Sequence, residues 1–203
     1  MGFYANKILP ALIDRGMQNK TLTEHRPRIP SLATGRVLEV GFGSGLNLPH
    51  YPNTVAHLFA LEPSQALLDK SAERTAAAAF PVEHIAASAA DIPLEERSVD
   101  TIVSTWTLCS IPEIEDALHD MRRVLKPDGR LLFIEHGHAP DPEVARWQDR
   151  LAPVFRCLAG CNPNRRIDTL IGQAGFRITD LEKGYFDGPR FISYHFVGQA
   201  RLG

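Results

Sequence analysis

The chain has 203 residues, of which 44% are apolar and 23% are charged, and its formal net charge at pH 7 is −2. This length predicts a single domain over residues 1–203, and the nearly balanced charge provides no basic patch for nucleic acid. We expect no transmembrane segment, because no run of about eighteen uncharged apolar residues occurs, while peripheral membrane contact stays open. Three cysteines without a framework spacing and an N-terminus without an apolar signal core favour a cytoplasmic protein.

Strands alternate with helices through the first two thirds of the chain. Residues 1–30, which include Phe3, Ile8 and Met17 at roughly helical spacing, are predicted to form a helical cap segment. The predicted strands after it span 36–40, 55–61, 82–86, 100–104 and 130–134, with helices over 64–78 and 112–125 and a turn at 126–129. This order predicts a parallel sheet covered on both faces, with ligands at the carboxyl ends of its strands.

The remaining chain breaks this alternation. A first helix, over 142–158, is amphipathic, and its apolar face carries Val144, Trp147, Leu151, Phe155 and Leu158. A second helix covers about 165–174. Two strands follow, 176–181 and 191–199, and they are joined by a Gly/Pro-containing connection suited to a hairpin. Residues 139–175 are therefore predicted to form a helical insert between strands five and six.

The most informative segment is the loop after the first strand. Glu39 is followed by glycine at every second position, Gly41, Gly43 and Gly45, and Glu62 ends the next apolar run. Glycine has no Cβ, so backbone N–H groups of such a loop can approach a ligand. A carboxylate at the tip of the neighbouring strand can accept hydrogen bonds from both hydroxyls of a ribose. The segment predicts a nucleoside-cofactor site.

The spacing of the loop separates two classes of cofactor. The dinucleotide fingerprint G-x-G-x-x-G requires its third glycine one position later than Gly45, where this chain has Leu46. Glu39 would repel a pyrophosphate, but it suits the cationic amine of S-adenosylmethionine. The pattern E-x-G-x-G-x-G followed by Glu62 therefore favours S-adenosylmethionine over a nicotinamide dinucleotide.

With these residues the chain resembles the class I S-adenosylmethionine-dependent methyltransferases. Segments 87–93, 98–100 and 124–129 also match that superfamily by position. The resemblance implies an α/β, Rossmann-like fold with a seven-stranded, mostly parallel sheet, an antiparallel terminal strand and helices on both faces.

The same resemblance implies further contacts with the cofactor. Ser88 and Ala89 match the loop that contacts the adenine, although the family commonly has an acidic residue at the position of Ser88. Asn47, on the lip after the glycine loop, and Ser104, at the end of strand four, complete the implied set.

A narrower similarity lies outside those motifs. The segments at 106–110, 135–136, 147–148 and 160–162, followed by Arg165 or Arg166, recur in this order in the methyltransferase-like 7 group. Animal members of that group methylate small thiols and carry a hydrophobic N-terminal membrane anchor. The resemblance implies a thiol acceptor and, because the anchor is missing, a soluble bacterial-type relative.

Five side chains are candidates for the chemistry or for contact with a small-molecule methyl acceptor. His136, just beyond strand five, is the predicted catalytic residue that orients or deprotonates the acceptor; a hydrogen bond to a neighbouring loop is the alternative. His138 is a second candidate for that role if the strand continues. Tyr51, Trp106 and Cys109 are candidate acceptor contacts, with core packing as the alternative.

No metal site is predicted. Cys157 and Cys161 form a C-x3-C pair near a helix end, but no second C-x2-C pair occurs that would complete a zinc pattern. Buried or redox-idle thiols explain the cysteines more simply than a metal site that also includes His136 and His138.

Three functions remain open. Methyl transfer from S-adenosylmethionine to a thiol is preferred, and O- or N-methylation of a lipid-like or quinone-like small molecule is the alternative among enzymes. A non-catalytic binding protein on a methyltransferase scaffold is the alternative of another class. Intact Glu39 and Glu62, with the three glycines between them, argue against lost cofactor binding.

Overall fold

The computed structural model describes residues 9–203, so Phe3 and Ile8 of the predicted cap segment lie outside the described residues. The strands are β1 (Gly35–Val40), β2 (Val55–Leu61), β3 (Val82–Ile85), β4 (Val99–Thr105), β5 (Leu125–His136), β6 (Phe176–Tyr185) and β7 (Tyr194–Leu202). The helices are α1 (Leu9–Gly16), α2 (Lys20–His25), α3 (Gln65–Lys70), α4 (Ala72–Ala76), α5 (Ile114–Val124), α6 (Pro142–Ala159) and α7 (Ile167–Gln173).

All seven strands form one sheet, in the order β3-β2-β1-β4-β5-β7-β6. Strands β1 to β5 pair in parallel, and β7 lies between β5 and β6, antiparallel to both. The predicted Rossmann-like fold is confirmed. The order reverses between the neighbouring strands β1 and β4, and a sheet of this type binds ligands at that reversal, beyond the carboxyl ends of the strands.

Residues of β1 alternate between the apolar cores on the two faces of the sheet. Leu38 and Val40 pack in one core, and Val37 packs in the other with Ile29. Burial on both faces is expected of a central parallel strand. Glu39 lies on the same side as Val37 by this alternation and is only 1% exposed. A carboxylate is therefore held inside an apolar layer at the end of the strand.

The helix predicted over 64–78 is two short helices, α3 and α4. Ser71 separates them: its Oγ donates to the Leu68 carbonyl at 2.7 Å, and its backbone N–H bonds to the same oxygen at 3.0 Å. A serine hydroxyl that competes for a backbone carbonyl disfavours continuation of the helix.

Strand β5 begins earlier than predicted and includes the expected turn. Val99 pairs with Leu125 and Thr101 with Arg130, so one residue of β4 faces four residues of β5. The predicted turn at 126–129 is thus a bulge within the strand. Strand β7 begins at Tyr194, three residues later than predicted, because residues before it form a turn closed by a bond from Ile192 N to the Pro189 carbonyl at 3.0 Å.

The predicted apolar face of α6 is only partly buried, because Val144, Leu151 and Phe155 are half-buried and the other two residues are exposed. Trp147 is 56% exposed and Leu158 is 60% exposed, whereas Gln148 and Ala152 are buried. The Gln148 amide explains this orientation, because its Oε1 accepts from Ala139 N at 2.8 Å and its Nε2 lies 2.9 Å from the Gly137 carbonyl. The same Nε2 is within 3.1 Å of two further carbonyl oxygens. Gln148 turns inward because buried backbone groups need partners.

Candidate active site

A cavity of about 260 Å³ lies at the carboxyl ends of β1, β2 and β4. This volume is close to the lower end of small-ligand pockets, roughly 300–1,000 Å³. Its lining comes from the N-terminal segment (Ile13, Asp14, Met17, Arg26), β1 and the glycine loop (Glu39, Val40, Gly41, Phe42, Gly43, Ser44, Leu46, Asn47), the end of β2 and the segment after it (Leu61, Glu62, Pro63, Leu67), the loop after β3 (Ser88, Ala89), the end of β4 and the region after it (Thr105, Trp106, Thr107, Ser110, Ile111, Pro112) and Ala159.

Two glycines bring the backbone of the loop to the cavity surface. Gly43 has φ +59°, and the nearest atom to a Cβ added there is 3.9 Å away, so the Cβ would project into open space of the cavity. Gly41 has φ +73°, and a Cβ there would collide with the Thr107 side chain. Both backbones occupy a region that favours glycine, and only the one at Gly43 leaves room for a ligand against the main chain.

Glu62 lies directly beside Gly43 in the cavity wall. One carboxylate oxygen accepts from Gly43 N at 3.0 Å, and the other accepts from Ser64 N at 2.9 Å. Burial raises the pKa of Glu62, and these two amide bonds oppose that rise. A carboxylate has about four lone-pair sites, so each oxygen keeps capacity to accept from a ribose hydroxyl.

Glu39 is oriented by two neutral donors. Asn47 Nδ2 donates to Glu39 Oε1 at 2.8 Å, and the Tyr51 hydroxyl donates to Oε2 at 2.8 Å. Burial raises the pKa of Glu39 to about 7, and the bonds from Tyr51 and Asn47 and the charge of Arg26 restrain that rise. A cationic group in the cavity would relieve the cost of the buried negative charge.

Arg26 is a cavity residue that no sequence pattern indicated. It is 5% exposed, its Nη1 donates to Asn47 Oδ1 at 3.0 Å, and its Nη2 donates to the Met17 carbonyl at 2.7 Å. Its guanidinium lies 4.9 Å from the centroid of the Trp106 ring. Burial lowers the pKa of Arg26 to about 10, so it remains cationic at neutral pH and can hold a carboxylate.

Trp106 forms part of the cavity wall with a strained backbone. Its φ is +52°, a conformation rare for a bulky residue, and a bond from its N–H to the Ile134 carbonyl at 2.8 Å fixes it. Strain of this kind costs about 1–3 kcal/mol and tends to cluster at functional sites.

Of the residues predicted to contact the cofactor, two lie outside the lining. A Cβ on Gly45 would be 3.0 Å from Leu48 and 3.1 Å from Phe42, so this glycine allows close packing of the loop rather than ligand approach. Ser104 is fully buried and donates to Glu135 Oε1 at 2.7 Å. The predicted contacts of Gly45 and Ser104 with the cofactor are therefore corrected. Glu39, Gly41, Gly43, Asn47, Glu62, Ser88 and Ala89 all line the cavity.

Among the acceptor-side candidates, only Trp106 lines the cavity. Tyr51 is buried with its hydroxyl on Glu39, and Cys109 is buried with its Sγ 3.3 Å from Ser110 Oγ. His136 lies at the end of β5, with its Nε2 3.1 Å from Cys161 Sγ. The structure therefore corrects the predicted roles of Tyr51, Cys109 and His136 in direct contact with an acceptor.

His138 is separate from this group. It lines a different cavity, with Arg166, Asp168 and Lys183. Its predicted role beside His136 is therefore wrong.

Known proteins are similar in sequence to this chain. A family model described as "Methyltransferase domain" matches residues 38–133, from β1 to β5. Human thiol S-methyltransferase TMT1A is 32% identical over 175 residues, which cover 81% of this chain and 69% of that protein. The chain belongs to the class I S-adenosylmethionine-dependent methyltransferases. The predicted cofactor, S-adenosylmethionine, is thereby confirmed.

Other similar proteins extend the range of acceptors within this superfamily. Demethylmenaquinone methyltransferase from Clavibacter sepedonicus is 30% identical over 121 residues, 60% of this chain and 49% of that protein. A solved S-adenosylmethionine-dependent methyltransferase from Thermotoga maritima, described as a possible histamine N-methyltransferase, has a TM-score of 0.68 at 17% identity. The superposition covers 97% of this chain and 99% of that chain, and at this identity the similarity shows the fold alone. Within residues 9–203, we find no helix with the length and apolar character needed to cross a membrane.

Proposed function

We propose that this methyltransferase uses the cavity to transfer a methyl group to the sulfur of a small-molecule thiol. The cofactor, when bound, supplies an electrophilic methyl group on a sulfonium. Glu62 binds the ribose hydroxyls, and Ser88 and Ala89 contact the adenine. The backbone of Gly43 lies against the ligand, because it leaves open space on the cavity side.

The amino-acid end of the cofactor is proposed to lie at the opposite side of the cavity. Glu39, held by Asn47 and Tyr51, attracts the ammonium group. Arg26, fixed by Asn47 and the Met17 carbonyl, binds the carboxylate. In this arrangement Trp106 and Thr107, which come directly after β4, would line the part of the cavity next to the reactive methyl.

The character of the wall near that methyl carries the thiol proposal. Trp106, Thr107, Ser110, Ile111 and Pro112 present apolar surface and hydroxyl groups there, without a carboxylate or imidazole. A thiol has a reference pKa of about 8.5 and ionises readily in solution, whereas an aliphatic hydroxyl or an ammonium acceptor needs a general base. A wall without a base therefore suits a thiolate, for which positioning is the main task.

The acidic residues of the cavity are engaged elsewhere. Asp14 accepts from Ser44 Oγ at 2.5 Å and pairs with Lys70 at 3.5 Å. Glu39 and Glu62 have their own hydrogen-bond partners at the cofactor side. The thiol named for the human relative is consistent with a site that lacks a free base.

We further propose that α1 and the end of α6 form a cap over the cavity. Ile13, Asp14 and Met17 line it from the N-terminal side, and Ala159 lines it from the insert between β5 and β6. Exclusion of water by a cap favours a displacement in which opposite charges are consumed.

The test is methyl transfer from cofactor labelled on the methyl group to a panel of thiols, aliphatic alcohols, phenols, quinols, amines and lipid head groups. The expected result is labelled thioether with at least one thiol and none with aliphatic alcohols. Glu62→Ala is the matched control that removes cofactor binding. Labelled quinol or phospholipid without any labelled thioether would contradict the thiol proposal and favour the quinone-like or lipid-like alternative.

A further inference from the structure

Three side chains with metal-binding atoms meet behind the wall of the cavity. Cys109 Sγ, His136 Nε2 and Cys161 Sγ all lie within 4.8 Å of one another. They come from the loop after β4, the end of β5 and the loop after α6, which are remote from one another in sequence. We propose that these three side chains bind one thiophilic divalent ion of the zinc class.

The distances fit such an ion. Zinc bonds of about 2.3 Å to sulfur and 2.0–2.1 Å to nitrogen put tetrahedral ligand atoms roughly 3.8 Å apart for two sulfurs and roughly 3.6 Å apart for sulfur and nitrogen. The observed separations are 3.1 Å between His136 Nε2 and Cys161 Sγ and no more than 4.8 Å for any pair. Small side-chain rotations therefore suffice to place an ion between the three atoms.

The backbone holds the three segments together without an ion. Asn162 donates to the Cys109 carbonyl twice, from its backbone N–H at 2.9 Å and from Nδ2 at 3.1 Å. Arg165 donates to the Leu108 carbonyl, and the Arg165 carbonyl accepts from His138 N at 2.8 Å. The loop after α6 is thus fastened to the loop after β4 and to the end of β5, so the ligand atoms are gathered in advance.

A cationic side chain lies beside the two sulfurs. The positive charge of Arg165 interacts with both sulfurs. A bound ion takes both sulfurs as thiolates, and the thiol protons that they carry are released to solvent.

The ligand set also indicates which kind of ion binds. Thiolate and imidazole ligands select zinc over magnesium or calcium, which prefer oxygen. Two cysteines and one histidine occupy three tetrahedral positions and leave the fourth to water or another thiolate. Catalytic zinc sites have this open form, while structural sites have four protein ligands.

Sequence spacing pointed to the wrong cysteine pair. Cys157, four residues before Cys161, is exposed and lies outside the cluster, whereas the partner of Cys161 is Cys109. The expectation of no metal rested on the pair Cys157 and Cys161, which the fold does not bring together as ligands. Cys157 therefore provides a matched control, because it is a cysteine of the same chain that should not affect the site.

The experiment is a titration of the reduced, chelator-stripped full chain with Co²⁺, followed by visible absorption. We expect one ion per chain, with tetrahedral and thiolate charge-transfer bands that Zn²⁺ removes by displacement. Loss of a residue that only supports a metal ligand typically weakens binding about 10–100-fold. Cys161→Ser and His136→Ala remove ligands and should weaken it at least tenfold, while Cys157→Ser should match the wild type.

Two results would overturn the proposal. One is the absence of thiolate charge-transfer bands in the reduced wild type, and the other is bands that persist unchanged in Cys161→Ser. Thermal stabilisation by S-adenosylhomocysteine checks the fold of each variant. Cys161 is the cysteine ligand chosen for replacement because it is half-buried, whereas Cys109 is buried. The spectrum depends on no methyl acceptor, so failure of the metal site and failure of the thiol proposal are distinguishable.

Discussion

Replacement of Glu62 by alanine should remove most of the affinity for the cofactor product S-adenosylhomocysteine. The two Glu62 oxygens already accept from Gly43 N and Ser64 N, and their remaining lone pairs are proposed to accept two ribose hydroxyls. A hydrogen bond to a charged group contributes about 1.5–3 kcal/mol. One such bond at the lower limit corresponds to about tenfold in the dissociation constant, and two correspond to roughly 150-fold. We therefore expect a loss between tenfold and several hundredfold.

Titration calorimetry with S-adenosylhomocysteine measures this loss directly. Glu62→Gln keeps the size of the side chain and one acceptor oxygen, so it should bind with intermediate affinity. Glu73→Ala changes an exposed glutamate on α4 and serves as the matched control with wild-type affinity. Thermal unfolding of each variant without ligand shows whether the fold is retained. A folded Glu62→Ala protein that binds as tightly as the wild type would refute the ribose assignment.

Three further predictions concern the cavity and the fold. Gly43→Val should weaken S-adenosylhomocysteine binding at least about tenfold, because the valine Cβ would enter the cavity from a backbone with φ +59°. The control in the same calorimetric assay is Gly172→Ala, because a Cβ at Gly172 would have open space around it. The ligand-free protein should lose stability as pH rises from about 5 to 8, because the pKa of Glu39 in the folded protein is raised to about 7. Protonated Glu39 stabilises the fold fully below its ordinary pKa near 4.5. This contribution to the free energy of unfolding, about 3 kcal/mol, is lost as pH rises through the folded pKa of about 7. Denaturant unfolding at both pH values should show a smaller decline in Glu39→Gln, and an equal decline would remove Glu39 as its source. Gln148→Ala should lower the free energy of unfolding by about 1–3 kcal/mol by leaving buried backbone groups unpaired, and an unchanged denaturation midpoint would contradict this.

The parts of the site that the sequence predicted are local in the chain. Glu39, the glycines and Glu62 lie on β1, its following loop and the end of the adjacent strand, so one βαβ half-unit determines their arrangement. Strand-to-helix turns of this kind have few alternative geometries. For this reason the cofactor class was predictable from the spacing of the glycines together with the carboxylates of Glu39 and Glu62.

The parts that the sequence did not predict depend on contacts between distant segments. Arg26 reaches the cavity only because the N-terminal segment packs over Asn47 and Trp106. Cys109 and Cys161 are 52 positions apart in the numbering, and no spacing rule brings them together. Periodicity also misled the prediction for α6, because the buried amide of Gln148 is required by surrounding backbone groups and outweighs the apolar stripe that contains Trp147.

The most direct test of the proposed chemistry is kcat/KM against pH for a series of thiols with different pKa values. If the cavity positions a thiolate and supplies no base, the reactive fraction rises about tenfold per pH unit below the pKa of the acceptor thiol. The inflection of the profile should then move with the pKa of each thiol. An inflection at the same pH for every acceptor would contradict this account, because it would assign the rate-controlling proton to a group of the protein.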